Sequence, residues 1–138
     1  MYLSVNESLG FALTTTLNTL RKKFNSELKS LDITSEQYAV MKLVLEFASL
    51  MPSKIADMLS RDRANITRIV NSLEKKGFIK KEKLNEKSYV ITLTDKGKKA
   101  LEKAEKIVID FNKRIKNIIS EDDYNCLIEK LFLIRDNF

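Results

Sequence analysis

Leu9, Leu13, Leu17, Leu20, Phe24, Leu28 and Leu31 recur every three or four positions, mostly four. That spacing predicts a long helix over about residues 6–31 with one apolar stripe. Thr14 to Thr16 form helix poorly, so packing must hold its middle, and Ser4 or Asn6 suits its N-cap. Residues 32–37 break and restart the chain. Thr34 followed by Gln37 is a capping box, with Ile33 and Tyr38 placed as a hydrophobic staple. A second helix then runs through Tyr38, Met41, Val44, Leu45 and Ala48 and stops near Ser49 to Pro52, where proline cannot continue it. Residues 53–59 read as a short third helix capped by Ser53, with Ile55, Ala56 and Leu59 inward.

After a short turn at residues 60–62, Ile66, Ile69, Val70 and Leu73 follow the i, i+3, i+4, i+7 pattern of an amphipathic helix. Asp62 can cap its first turn, and Gly77 suits the left-handed residue beyond its end. A short helix, a tight turn and a longer helix make a helix-turn-helix pattern. Beyond Gly77 the period changes from 3.6 to 2. Residues 78–84 and 88–93 read as two strands around the polar turn Asn85-Glu86-Lys87, with Tyr89, Ile91 and Leu93 on one face. Thr94 caps a fifth helix reaching about Ile119, whose Leu101, Ala104, Val108, Phe111, Ile115 and Ile118 form a heptad-like seam. Ser120 to Asp123 restart the chain as a further capping box, and Tyr124, Leu127, Ile128, Leu131, Ile134 and Phe138 line one face of a last helix.

The fold expected is mainly α with a small β-hairpin: a winged helix-turn-helix between long N- and C-terminal dimerisation helices. Its parts are residues 1–31, the winged module 32–96 (recognition helix 62–76, wing 78–93) and residues 97–138.

The outer face of the fourth helix carries Ala64, Thr67, Arg68, Asn71 and Lys75, with Arg61, Arg63 and Asn65 at its start. Such side chains hydrogen-bond base edges and phosphates, and a helix fits the DNA major groove. Taken alone, a helix of this kind is more often a solvated surface helix. Charge placement favours the first reading. The net charge is +6, and residues 61–99 hold twelve Lys/Arg against five Asp/Glu, while the remaining residues hold thirteen against fourteen. A basic field confined to this segment favours a polyanion. Lys80, Lys81, Lys83 and Lys87 on the hairpin are available to phosphates or the minor groove, and each is equally at home on a solvated tip.

The terminal helices carry more apolar stripe than so small a winged module can cover, and soluble monomers rarely expose such strips. The economical solution is a two-fold dimer built on Leu9, Leu13, Leu17, Leu101, Val108, Phe111, Ile115, Ile118, Leu127, Leu131 and Ile134; a monomer with its ends folded back is the alternative. A two-fold dimer would set two reading helices about one DNA turn apart, ~34 Å.

Four strings resemble the MarR (multiple-antibiotic-resistance regulator) family. Residues 33–41, Ile-Thr-Ser-Glu-Gln-Tyr-Ala-Val-Met, are similar to its "L-T-x-x-Q". Ile55-Ala56-x-x-Leu59 is similar to its "L-A-x-x-L". Residues 62–77 resemble its recognition segment, and Leu93-Thr94-Asp-Lys-Gly97 its "L-T-x-x-G". The resemblance implies a homodimeric regulator of double-stranded DNA, usually a repressor on a pseudo-palindromic operator, released by a small aromatic or anionic effector or by oxidant. It implies that Arg63, Asn65, Thr67 and Arg68 meet the major groove and that Ser53 holds a backbone phosphate. The wing departs from the pattern: Asn85 and Lys87 stand where the family usually has Asp-x-Arg. Lysine lacks the planar fork of arginine, so this wing is expected to add salt-sensitive affinity more than specificity.

The chain has no histidine and one cysteine. That disfavours a transition-metal site and rules out an internal disulfide, and no cofactor is implied. Cys126, between residues of the last helix's apolar face, is expected to be a buried structural thiol. Phe11, Arg21, Lys22 and Tyr38 could contribute to an effector pocket. No glycine-rich phosphate loop or paired carboxylate speaks for an enzyme. No membrane span or signal peptide is evident, so a cytoplasmic protein is expected. The alternative function is a winged-helix protein–protein module without sequence-specific DNA binding.

Overall fold

The computed structural model describes all residues, Met1–Phe138. They form two compact units, Met1–Ala104 and Glu105–Phe138. In the first, helix α1 (Leu9–Leu28) follows a short 3-10 turn (Val5–Glu7) and leads through a second one (Lys29–Leu31) into α2 (Ser35–Phe47). Helices α3 (Pro52–Leu59) and α4 (Arg63–Lys75) and strands β1 (Ile79–Lys83) and β2 (Tyr89–Leu93) complete the winged module, and α5 (Asp95–Ile119) begins in this unit. The expected mainly helical winged helix-turn-helix is what the chain adopts.

Caps explain most of the boundaries. Ser8, rather than Ser4 or Asn6, caps α1, its Oγ accepting from Phe11 N–H at 3.3 Å; Ser4 caps the preceding 3-10 turn. The Thr34–Gln37 capping box is present in full. Ser53 is not a cap. Met51 takes that place, and Pro52 opens α3, where a missing N–H costs nothing. The turn into α4 is made by Ser60 in the left-handed region (φ 52°), and Asp62 Oδ1 then accepts from Asn65 N–H at 2.7 Å.

The core of this unit gathers Leu28, Val40, Met41, Val44, Ile55, Ile66, Val70, Leu73, Ile79, Ile91 and Leu101. The hairpin is antiparallel, Ile79 pairing with Leu93 and Lys83 with Tyr89. Leu50, a lone residue between α2 and α3, extends it through an isolated bridge to Ile91, with bonds of 2.8 and 3.3 Å. At the hairpin's root Gly97 packs so closely on the Phe78 carbonyl that a Cβ there would stand 2.0 Å from its oxygen. Thr94 secures the same corner: its Oγ1 donates to Gly77 O at 2.6 Å and accepts from Gly97 N–H at 3.0 Å.

Leu101 is 1% exposed within its own protomer, so it belongs to this core and is not available to a partner. By contrast Leu9, Leu13 and Leu17 are exposed on the N-terminal half of α1.

The second unit holds the C-terminal part of α5 and helix α6 (Glu121–Arg135), capped by Ser120 Oγ on Asp123 N–H at 3.2 Å. Tyr124 O–H donates to Asn112 Oδ1 at 2.6 Å, and Lys116 reaches Glu121 at 3.7 Å. Val108, Phe111, Ile115 and Leu131 are half-buried, whereas Ile118, Leu127 and Ile134 are exposed, Ile118 to 80%. No residue of α6 is buried. Cys126 is accordingly exposed, contrary to the buried thiol expected: within the second unit it lies on the side of α6 away from half-buried Tyr124, Ile128 and Leu131.

Candidate nucleic-acid interface

Helix α4 is held from behind and open in front. Ile66, Val70 and Leu73 are wholly buried, which fixes its rotation about its own axis. Its C-terminal end is fastened by polar groups. Gln37, itself 7% exposed, donates from Nε2 to Ser72 Oγ at 3.0 Å, and its Oε1 accepts from Thr34 N–H at 3.1 Å and Lys76 Nζ at 2.9 Å. Lys76 Nζ also donates to Asp32 O at 2.7 Å. This ammonium just beyond α4 is therefore a structural tie, and its charge is spent inside the protomer.

On the open side, Arg63, Ala64, Arg68, Asn71 and Lys75 are exposed. Ala64, Arg68, Asn71 and Lys75 follow a spacing of four, three and four, so they form one row along the helix. Two of the expected reading residues are set further back. Thr67 is half-buried and its Oγ1 donates to Arg63 O at 2.9 Å. Asn65 is half-buried with its carboxamide oxygen enclosed and meeting no donor. Arg61 is half-exposed and paired with Glu36 at 3.0 Å, a link between the helix-turn-helix turn and α2. Ser53 is half-buried in the first turn of α3.

Lys83 and Lys87 are exposed on the hairpin. At its tip Asn85 Oδ1 accepts from the backbone N–H of Lys87 (2.9 Å) and Ser88 (3.0 Å). Asn85 thus shapes the turn by an Asx-type contact and does not hold the Lys87 side chain. Lys81 differs from its neighbours. It shares the inner face of β1 with Ile79, and its Nζ meets Asn71 Oδ1 at 2.7 Å, Glu74 Oε1 at 3.5 Å and the face of Tyr89 at 5.2 Å from the ring centroid. It is not free to meet a phosphate. The period-2 alternation from Ile79 already put Lys81 inward, a signal that its charge obscures.

Of the suggested effector residues, Arg21 and Lys22 lie on α1 within one turn of Phe24, and Phe11 lies far from them. Tyr38 meets Phe24, edge to face at 5.9 Å. Phe11 is exposed thirteen residues earlier on α1, roughly 20 Å along the helix axis.

The MarR family model matches residues 33–87, the stretch that contains α2 to the wing tip. Over that stretch the chain is similar to the MarR family of transcriptional regulators. Among its relatives, the helix-turn-helix-type transcriptional regulator YybA of Bacillus subtilis is 36% identical over 77 residues, 54% of this chain and 51% of that protein. The organic hydroperoxide resistance transcriptional regulator of the same species is 29% identical over 105 residues, 75% of this chain and 71% of the relative. The chain thus spans about half of the first relative and under three-quarters of the second. In fold it is similar to the transcriptional repressor CouR, solved bound to a 23-mer DNA duplex: TM-score 0.86 at 24% identity, covering 98% of this chain and 99% of that one. The wing carries Asn85 and Lys87 at its tip, and its acidic Glu82 pairs with Lys80 at 3.6 Å. No helix is long and apolar enough to cross a membrane.

Proposed function

We propose that the protein is a cytoplasmic, sequence-specific DNA-binding regulator acting as a homodimer, a repressor on a pseudo-palindromic operator from which a small aromatic or anionic effector releases it. The observation that carries this reading is the outer row of α4, Arg68, Asn71 and Lys75 with Arg63 at its start, held outward by a stripe that has no exposure at all. Residues that exchange bonds with bases must be positioned before they bind, and a helix locked by its own core meets that need. The concentration of positive charge in residues 61–99 supplies the non-specific attraction. The CouR–DNA complex shows what a protein of this fold can do. A winged module serving only as a protein-binding surface would have no use for this row together with that charge.

In this reading Arg63, Arg68 and Asn71 read base edges. Thr67 adds a methyl contact, and Asn65 supports the helix start. Ser53, Arg61, Lys75, Lys83 and Lys87 meet the backbone. Residues 1–31 and 97–138 flank the winged module 32–96 as pairing segments. Leu9, Leu13, Leu17, Ile118, Leu127 and Ile134, exposed in the protomer, lie between two copies together with half-buried Val108, Phe111, Ile115 and Leu131.

The test is a mobility-shift titration on the chain's own upstream region, with sequences also selected from a randomised duplex pool. Arg68→Ala is expected to weaken the selected duplex by about 10- to 100-fold, the worth of one good base contact. An Arg68→Ala protein that binds as tightly as wild type overturns the assignment.

A further inference from the structure

Lys81 approaches the reading helix from the wing and touches it at a residue that faces DNA. A lysine ammonium can only donate, so at 2.7 Å its partner on Asn71 is the carbonyl oxygen, and the orientation of that carboxamide is settled. Glu74 at 3.5 Å and the Tyr89 ring at 5.2 Å hold the ammonium from two other sides. Lys81 is the less exposed partner of its ion pair, 28% against 45% for Glu74, and its bond to Asn71 lies at the surface, so three contacts together hold the ammonium there. With its oxygen drawn back toward the wing, Asn71 presents its NH2 group to whatever approaches the exposed row.

We propose that Lys81 is a positioning residue that sets the base preference of Asn71. The inference rests on the DNA-binding reading above. Free asparagine pairs with adenine by giving one bond to N7 and taking one from N6. Here Lys81 takes one of the two lone pairs of the accepting oxygen and draws that oxygen toward the wing, which works against the two-bond adenine geometry and favours Asn71 as a donor to groove-edge acceptors: guanine O6 and N7, or thymine O4. A wing lysine thereby acts on specificity without touching DNA, and the wing's position and the code of the helix are one setting.

The experiment compares wild type, Lys81→Met, Lys81→Arg and Asn71→Ala on a randomised duplex pool, followed by affinity and salt titrations on the selected duplex and its single-base variants. Asn71→Ala identifies the base pair concerned as the position where preference flattens. Wild type is expected to disfavour adenine there. Lys81→Met keeps the aliphatic stem and frees the carbonyl, so the adenine variant should gain on the preferred duplex by about fivefold, one hydrogen bond's worth. Its salt slope should stay unchanged, and Lys81→Arg should keep the wild-type preference. In the free protein, the Asn71 side-chain amide resonances should move in Lys81→Met and stay near their wild-type position in Lys81→Arg.

A salt slope lowered by about 0.9 per protomer with preference intact would make Lys81 a phosphate contact and overturn the proposal. So would a Lys81→Met protein with unaltered preference at that base pair, or an Asn71→Ala protein that flattens no position. Wild type that enriches no sequence refutes the DNA-binding reading itself. That result is distinct from the others, because in them wild type still selects a site.

Discussion

Gly97→Ala has the opposite sign in this structure from the one helix propensity assigns it. Alanine in place of glycine inside a helix ordinarily gains about 0.5–1 kcal/mol. At Gly97 the added Cβ would stand 2.0 Å from Phe78 O and 2.9 Å from its carbonyl carbon, both backbone atoms that cannot rotate away. Restoring an ordinary C···O separation of about 3.3 Å requires the start of α5 and the strand root to part by roughly 1.3 Å. The bonds across that gap are Thr94 N–H to Phe78 O at 3.1 Å and Thr94 Oγ1 to Gly77 O at 2.6 Å. Overpacking costs about 1–3 kcal/mol and the two bonds about 1 each, so after the propensity gain the variant is destabilised by about 2–4 kcal/mol. Urea unfolding followed by far-UV circular dichroism, at one fixed protomer concentration, measures this directly. Gly10→Ala is the control, because the nearest atom to a Cβ there is 3.9 Å away, so only the propensity term remains. A Gly97→Ala protein at least as stable as wild type would refute the close-approach argument.

Gln37→Leu should lower stability by about 2–4 kcal/mol in the same assay, since it removes three hydrogen bonds and strands the Thr34 N–H and Ser72 hydroxyl; a loss under about 1 kcal/mol would mean that water replaces the side chain. Lys83→Ala and Lys87→Ala should each reduce the slope of log affinity against log salt by about 0.9 while leaving the selected sequence unchanged. A changed base preference would instead give the wing a reading role. Leu17→Asp, at an exposed site on α1, should shift the protein from two copies to one in sedimentation velocity at micromolar concentration; an unaltered dimer would move the interface elsewhere.

Periodic apolar positions made most of the fold legible, because burial imposes a repeat that survives any choice of side chain. The stripe Ile66, Val70 and Leu73 and the two strands of the hairpin are of this kind, while the Thr34–Gln37 box was legible from its own polar spacing. What escaped was set by single contacts between distant parts of the chain. Nothing near Leu50 announces a bridge to Ile91. Ser53 beside Pro52 offered two ways to start a helix, and proline's missing N–H decided for N1. Leu101 fits a seam shared with Val108 and Ile115 and a core position equally well, because both follow the same spacing. Among the basic residues, formal charge said nothing about availability: Lys76, Lys81 and Arg61 are all engaged within the protomer, while Arg63, Arg68, Lys83 and Lys87 are exposed.

The two units differ in what they need from outside. Residues 1–104 enclose their own core, so the shape of α4 and its wing is specified within one chain. Residues 105–138 enclose none: α6 has no buried residue, and Leu127, Phe132, Leu133 and Ile134 all face outward. A helix of fifteen residues with only Tyr124, Ile128 and Leu131 half-buried has little packing to hold it in water, and each large apolar side chain covered contributes roughly 1.5–3 kcal/mol. In the proposed dimer, pairing with a second copy would cover α6 as well as present two reading helices. On that proposal dimerisation would set the separation of the two α4 helices and leave the preference of each unchanged. Substitutions on α6 should weaken binding to a two-half-site operator steeply while leaving the bases chosen within each half-site as they are. Substitutions at Lys81 should instead change the base chosen within each half-site while leaving the pairing of two copies as it is.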